Sequence, residues 1–260
     1  MNTAADPATH ELLRFANQLA DAARPIARAY FRHPLTVESK ADLSPVTIAD
    51  RAIELALRQL IESNYPGHGI LGEEFAARQG GRFTWVLDPI DGTRSFITGM
   101  PLFGTLIALL HDGRPMLGVV DFPALGERWT GVAGQETQHL GKVVRTSDVS
   151  QLADASCYST SPDMFIGEDS EKFAQLSAQV GMRRFGGDCY AYALLASGHC
   201  DLVVEAGLQP YDFLSLVPVV EGAGGRISDW QGRDLTLESD GRVLAAANQS
   251  LWTQALSTLG

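Results

Sequence analysis

The chain has 260 residues, 45% hydrophobic and 20% charged, with a net charge of −11 at pH 7. This is the composition of an ordinary globular protein, long enough for one large domain or two small ones with a well-buried core. The acidic balance argues against nucleic acid and anionic membranes as partners. It leaves small phosphorylated substrates open, because divalent cations reverse the local field of a site.

No segment reaches the roughly 18 apolar residues needed to cross a bilayer. The opening MNTAADPATHELLRF shows no basic region followed by an apolar one, so a cytoplasmic location is expected. Cys157, Cys189 and Cys200 are odd in number and form no CxxC pair. Reduced thiols are expected, not a zinc site or a disulfide framework.

In chain order, Leu12, Phe15, Ala16, Leu19, Ala23, Ile26 and Ala27 form a helical stripe over residues 9–31, with a bend expected near Pro25. A second helix is predicted over 48–63, where Thr47 and Asp50 have the spacing of a capping box. A polar loop, VESKADLSPVTIAD, is expected between the two helices, with Lys40 at its surface. GHGILGEE reads as a strand entering a turn at Glu73 and Glu74, and RFTWVLDPI as the next strand. Apolar β runs follow from Phe103 to Gly134, with turns at Asp112-Gly113 and Pro123–Gly126, which predicts an antiparallel meander.

Beyond about residue 140 short β runs alternate with helices. Helices are expected over 168–180, from Gly187 to Ser197, over 212–223 and over 249–258, and strands at CDLVVEAG and RVLAAAN. The alternation predicts an α/β half, 139–260, after an α+β half, 1–138.

Five carboxylates stand at the ends of predicted elements: Asp50, Glu73, Asp88, Asp91 and Asp212. Each alone has a plain structural explanation as a turn, a cap or a solvated acid. Together they repel strongly unless cations sit between them. Oxygen ligands without His or Cys favour hard cations such as Mg²⁺. Asp88 and Asp91 are three apart with Pro89 between, so both side chains can share a cation. Gly92 and Thr93 stand where a helix can begin, with amides free to hold a phosphate. Cation ligands beside a phosphate cradle suit metal-assisted phosphoryl transfer to water.

GEE at 72–74, DPIDGT at 88–93 and YDF at 211–213, with SPVTIAD at 44–50 upstream, resemble the signatures of the inositol monophosphatase family. The resemblance spans nearly the whole chain. Ser95-Phe96 after DGT and Gly187-Asp188-Cys189-Tyr190 look most like its histidinol-phosphate phosphatase branch. It implies a layered αβαβα sandwich of the sugar-phosphatase type, a homodimer, and two or three Mg²⁺ ions per site. Glu73, Asp88 and the carbonyl of Ile90 would hold the first ion, and Asp88, Asp91 and Asp212 the second. A weaker third ion would lean on Glu73. Thr93 and Asp50 would orient and deprotonate the attacking water, with Glu73 assisting. Asp91, Gly92 and Thr93 would face the phosphate.

The implied substrate is histidinol phosphate, in histidine biosynthesis, with inositol 1-phosphate or another polyol phosphate as the alternative. Its ammonium would pair with Asp188. Glu205 would bind the same group or a hydroxyl, and Arg184 would hold the phosphate or fix these acids. A haloacid-dehalogenase-type phosphatase is disfavoured, because the aspartate spacing is DxxD and not DxD. A non-catalytic metal-binding protein is a further reading.

Overall fold

Alternation along the central strands sends their side chains into two different cores. The computed structural model describes residues 7–33, 37–39 and 45–260, with only the backbone described at 37–39 and 45–47. The first half contains α1 (Pro7–Tyr30), β1 (Val37–Ser39), β2 (Pro45–Thr47), α2 (Ile48–Asn64), β3 (Gly69–Gly72), β4 (Phe83–Asp91) and α3 (Thr93–Thr98). It continues through β5 (Gly104–His111), β6 (Arg114–Phe122), β7 (Glu127–Val132), β8 (Gln138–His139) and β9 (Lys142–Val143). The second half contains β10 (Ser156–Ser159), α4 (Glu168–Ser177), β11 (Met182–Phe185), α5 (Tyr190–Ala196), β12 (Leu202–Glu205), α6 (Pro210–Phe213), α7 (Leu216–Gly222), β13 (Arg226–Ser228), β14 (Val243–Ala246) and α8 (Gln249–Leu259).

Strands β3 to β9 form a seven-stranded sheet in sequence order, antiparallel apart from β3 beside β4. The predicted meander is its centre. The second sheet has the order β11-β10-β12-β14-β13, with β10 parallel to both β11 and β12.

Three cores separate the layers. Trp85 and Leu87 of β4 pack with Leu19 and Ala23 of α1 and with Ile53 and Leu57 of α2. Val86, on the opposite face of β4, packs in the middle layer with Leu195 of α5, Val219 of α7, and Val203 and Ala245 of the second sheet. Leu202, Val204 and Leu244, on the outer face of that sheet, pack against Phe173 of α4 and Leu251 of α8. The order is therefore helices, sheet, helices, sheet, helices, the expected αβαβα sandwich. Each fully buried Leu, Ile or Phe contributes roughly 1.5–3 kcal/mol, so the long β4 and β5 are firmly anchored from both faces.

Two local expectations are corrected. The segment before α2 is not wholly loop: β1 and β2 pair antiparallel, Val37 opposite Thr47. Lys40 and the Thr47 side chain of the expected capping box lie outside what is described. The helix expected over 212–223 is two helices, broken at Leu214 and Ser215. Pro218 has no amide to give the Leu214 carbonyl, so a single continuous ladder is not available there.

Candidate active site

The site forms where both sheets point strand ends into the middle layer. Asp88 shares a strand face with Val86, and Glu205 shares one with Val203, so both carboxylates face inward between the sheets. In a regular strand Asp91, three residues after Asp88, would face the other way. The pairing of β4 with β5 shows why it does not. Asp88 lies opposite Leu106 and Asp91 opposite Gly104, so β4 carries one extra residue at this point. The bulge resets the parity of the strand, and the Thr105 hydroxyl fixes it by donating to the Pro89 carbonyl at 2.8 Å.

Asp212 arrives from the other side, at the third position of α6. One oxygen accepts the Gln209 amide at 2.7 Å and closes a capping box. The aspartate is thus a helix cap and a site residue at once. One carboxylate oxygen from each of Asp88, Asp91 and Asp212 lies within 4.8 Å of the others. Glu73 follows β3, whose Gly72 is level with Leu87 of β4. Asp50 is buried in the first turn of α2.

These groups strain one another electrostatically. Burial pushes the Asp88 carboxyl well above the usual carboxylate range, and the charges of Glu73, Asp91, Asp212 and Asp50 add to it. Asp91 is raised by burial and by Asp212 and Asp188. Burial raises Asp212 to about 6. Asp88 is 1% exposed, and its Oδ1 has no hydrogen-bond partner among the described residues. An oxygen-only cluster with a buried, unsatisfied carboxylate atom fits a divalent hard cation.

Beside the cluster, Gly92 caps the short helix α3 with φ 79°, a left-handed conformation that favours glycine. A Cβ there would lie 3.0 Å from the Asp188 carboxylate. The Thr93 hydroxyl donates to the Ile90 carbonyl at 3.2 Å. Asp188 accepts a hydrogen bond from the Ser95 hydroxyl. Burial raises its pKa, while Ser95 and Arg94 pull it back. Glu205 is 3% exposed and accepts from the Tyr192 hydroxyl at 2.9 Å, from the Thr160 amide at 3.0 Å and from the Thr160 hydroxyl. Burial raises its carboxyl to about 7. Asp91, Asp188, Glu205 and Asp212 together line a small cavity of about 90 Å³. Asp188 also borders an adjoining cleft of about 400 Å³, with Gly92, Arg94, Asp163 and Leu208.

Of the residues expected from sequence, Arg184 is the one the structure does not bring to this place. It is an exposed residue of the edge strand β11, whose four residues are all exposed. Its level on the sheet lies two strands from Val203, roughly 10 Å at ordinary strand spacing. Conversely, sequence reading missed the Cys189 amide, which donates to Asp91 at 2.8 Å, and it missed Ser95 as the partner of Asp188. It also missed Thr160 and Tyr192. Nothing in their local pattern marks them, since Thr160 meets Glu205 only through strand pairing and Tyr192 only through the packing of α5 on β12.

No helix among the described residues is long and apolar enough to cross a membrane. Residues 8–259 match the model of the inositol monophosphatase family. The chain is 48% identical to a protein of Arabidopsis thaliana named bifunctional phosphatase IMPL2, chloroplastic, over 96% of this chain and 76% of that one. It is 37% identical to the histidinol-phosphatase of Chlorobaculum parvum, over 95% and 96%. A solved inositol monophosphatase from Zymomonas mobilis superposes with a TM-score of 0.90 at 48% identity, covering 98% of this chain and 99% of that one. The chain belongs to the inositol monophosphatase family and is a phosphoric monoester hydrolase.

Proposed function

We propose that the protein is a Mg²⁺-dependent phosphatase that hydrolyses histidinol phosphate to histidinol and phosphate, a step of histidine biosynthesis. The observation that carries the substrate choice is Asp188. It is a carboxylate held by Ser95 beside the Gly92 turn, and it borders both the small cavity and the larger cleft. A phosphate seated on the Gly92 and Thr93 amides would place its leaving group against that acid, where an ammonium is a better partner than a hydroxyl. The relative named histidinol-phosphatase supports the same choice.

Glu73, Asp88, Asp91, Asp212 and the Ile90 carbonyl would hold the cations. Bound Mg²⁺ supplies acidification of water and neutralisation of charge on the phosphoryl oxygens. Thr93 and Asp50 would orient the attacking water and take up its proton. The water oxygen bonds to phosphorus as the bond to the leaving oxygen breaks, and that oxygen takes a proton from solvent. Gly92 and Thr93 fix the phosphate in line with the attack. The buried Glu205, on Tyr192 and Thr160, forms the floor beneath the leaving group.

A second reading, an inositol or other polyol monophosphatase, is favoured by the Zymomonas mobilis neighbour. Phosphate release from a panel of monoesters, with Mg²⁺ and with EDTA, separates the two. The histidinol ester should be preferred and EDTA should abolish turnover. Preference for inositol 1-phosphate would replace the first reading with the second, and turnover in EDTA would remove the metal role.

The three cysteines are buried free thiols, which fits a reducing compartment, and the cytoplasm is the location assigned here. The active form assigned is a homodimer. Ile166, Met182 and Phe185 are exposed apolar residues at 81%, 52% and 42%, and two of them lie on the open edge of β11. Light scattering on a sizing column tests it.

A further inference from the structure

We propose that Glu54, together with Arg58, is a positioning residue that holds the cation ligand Glu73 in place. The inference rests on the metal reading above but not on the identity of the substrate. Glu73 stands in the turn after β3 ends at Gly72, where no strand pairing fixes the backbone. Two side chains of α2 do so instead. Oε2 of Glu54 accepts the amide of Glu74, the N–H of the peptide linking Glu73 to Glu74, at 2.7 Å. Nη2 of Arg58 donates to the Phe75 carbonyl at 3.0 Å. The two side chains are joined by a 2.7 Å bond from Arg58 Nε to Glu54 Oε1, and the guanidinium lies 5.7 Å from the Phe75 ring centroid.

Glu54 is 0% exposed and Arg58 is 9% exposed. A buried ion pair is a weak source of net stability, because desolvation offsets the attraction. This pair spends its remaining hydrogen-bonding capacity on the backbone around Glu73. The first letter of the GEE motif fits the same account. A Cβ on Gly72 would lie 2.1 Å from Glu54 Oε1, so a glycine there lets the carboxylate approach. Asp50, Glu54 and Arg58 are spaced four apart and share one face of α2. One helix face thus presents Asp50 to the site and braces the Glu73 turn. Displacing a ligand by about 1 Å is enough to weaken a cation site or slow a reaction severely.

The test uses the full chain stripped with EDTA and titrated with Mn²⁺, read by the electron paramagnetic resonance of the free ion. Two variants carry it. Glu54→Gln keeps the volume, but its single amide oxygen can serve only one of the two donors. Gly72→Ala forces Glu54 away without removing it. Glu54→Gln should weaken Mn²⁺ binding at least fivefold and Gly72→Ala at least tenfold. In both, the Mg²⁺ concentration for half-maximal turnover should rise similarly, with kcat at saturating Mg²⁺ within about threefold of the parent.

Asp121→Asn is the control for general destabilisation. Asp121 is a fully buried carboxylate bonded to Arg24 and Arg128 on the α1 face. It should lower Tm and leave Mn²⁺ affinity unchanged. Parental Mn²⁺ affinity in Glu54→Gln or Gly72→Ala overturns the inference, including when Tm falls as in Asp121→Asn. A parent that binds no Mn²⁺ overturns the metal reading and this inference with it.

Discussion

Asp88→Asn should make the metal-free protein more stable while nearly abolishing its activity. The reason lies in the burial of Asp88 at 1% exposure, against four other carboxylates that push its pKa up. The neighbouring Asp212 gives the scale. Its pKa rises from 3.8 to about 6, and at about 1.4 kcal/mol per unit its ionised form costs the folded state about 3 kcal/mol. Asparagine removes one such charge at nearly constant volume. A Tm several degrees above the parent's is expected at pH 8 in EDTA.

With Mg²⁺ the order should reverse. A ligand at 100 times its Kd stabilises the parent by about 2.7 kcal/mol per site, and Asp88→Asn would lose a side chain proposed to hold both ions. Phosphate release should fall on the order of 10²–10³-fold or more, the range seen when a contact to transition-state charge is lost. Differential scanning fluorimetry in EDTA and in Mg²⁺, with a phosphate-release assay, reads all three quantities. A metal-free Asp88→Asn that melts below the parent, or one that keeps a tenth of the turnover, would refute the reasoning.

Three further outcomes are expected. The raised carboxyls of Asp212, near 6, and Glu205, near 7, contribute stability fully below their unfolded values near 4, and it is lost as pH rises through 6 to 7. The EDTA-treated protein should therefore melt higher at pH 5.5 than at pH 8, and Mg²⁺ should raise Tm more at pH 8; a metal-free Tm that climbs with pH contradicts this. Asp188→Asn should raise KM for histidinol phosphate at least tenfold and leave that for inositol 1-phosphate within twofold; equal effects on both esters would assign Asp188 to the phosphate and not to the ammonium. Gly92→Ala should cost about 1–2 kcal/mol from its left-handed φ alone and depress kcat as Asp188 is displaced. An unchanged melting curve would show that the turn adapts.

Much of the architecture was legible in the sequence because the strands alternate and the helices carry continuous apolar stripes. Trp85 and Leu87 on one face and Val86 on the other are readable from order alone. The DPIDGT, GEE and YDF motifs carried the acidic cluster, since each places its carboxylate at the end of an element. Arg184 could not be placed from sequence. Its neighbours in MRRF read like any short strand, and nothing local shows that this strand is the sheet's open edge. Thr160 and Tyr192 were hidden for the opposite reason. They lie 45 and 13 residues from Glu205: Thr160 meets it only once parallel β10 and β12 are paired, and Tyr192 only once α5 packs against β12.

The spacing of Asp88 and Asp91 shows how far such reading goes. A separation of three puts two side chains on opposite faces of a regular strand, so alternation alone would assign one aspartate to the α1 and α2 core. That core is apolar, built around Trp85, Leu87 and Ile90, and an ionised aspartate inside it would cost several kcal/mol. The chain avoids this with one additional residue between Asp88 and Asp91 relative to β5. Pro89 lies within that extra stretch, where a missing amide forfeits no ladder bond, and its free carbonyl is taken up by Thr105. With parity reset, Ile90 points into the apolar core and both aspartates turn to the site. The strand defect, which tolerates a proline, is therefore what lets two carboxylates three apart share one face.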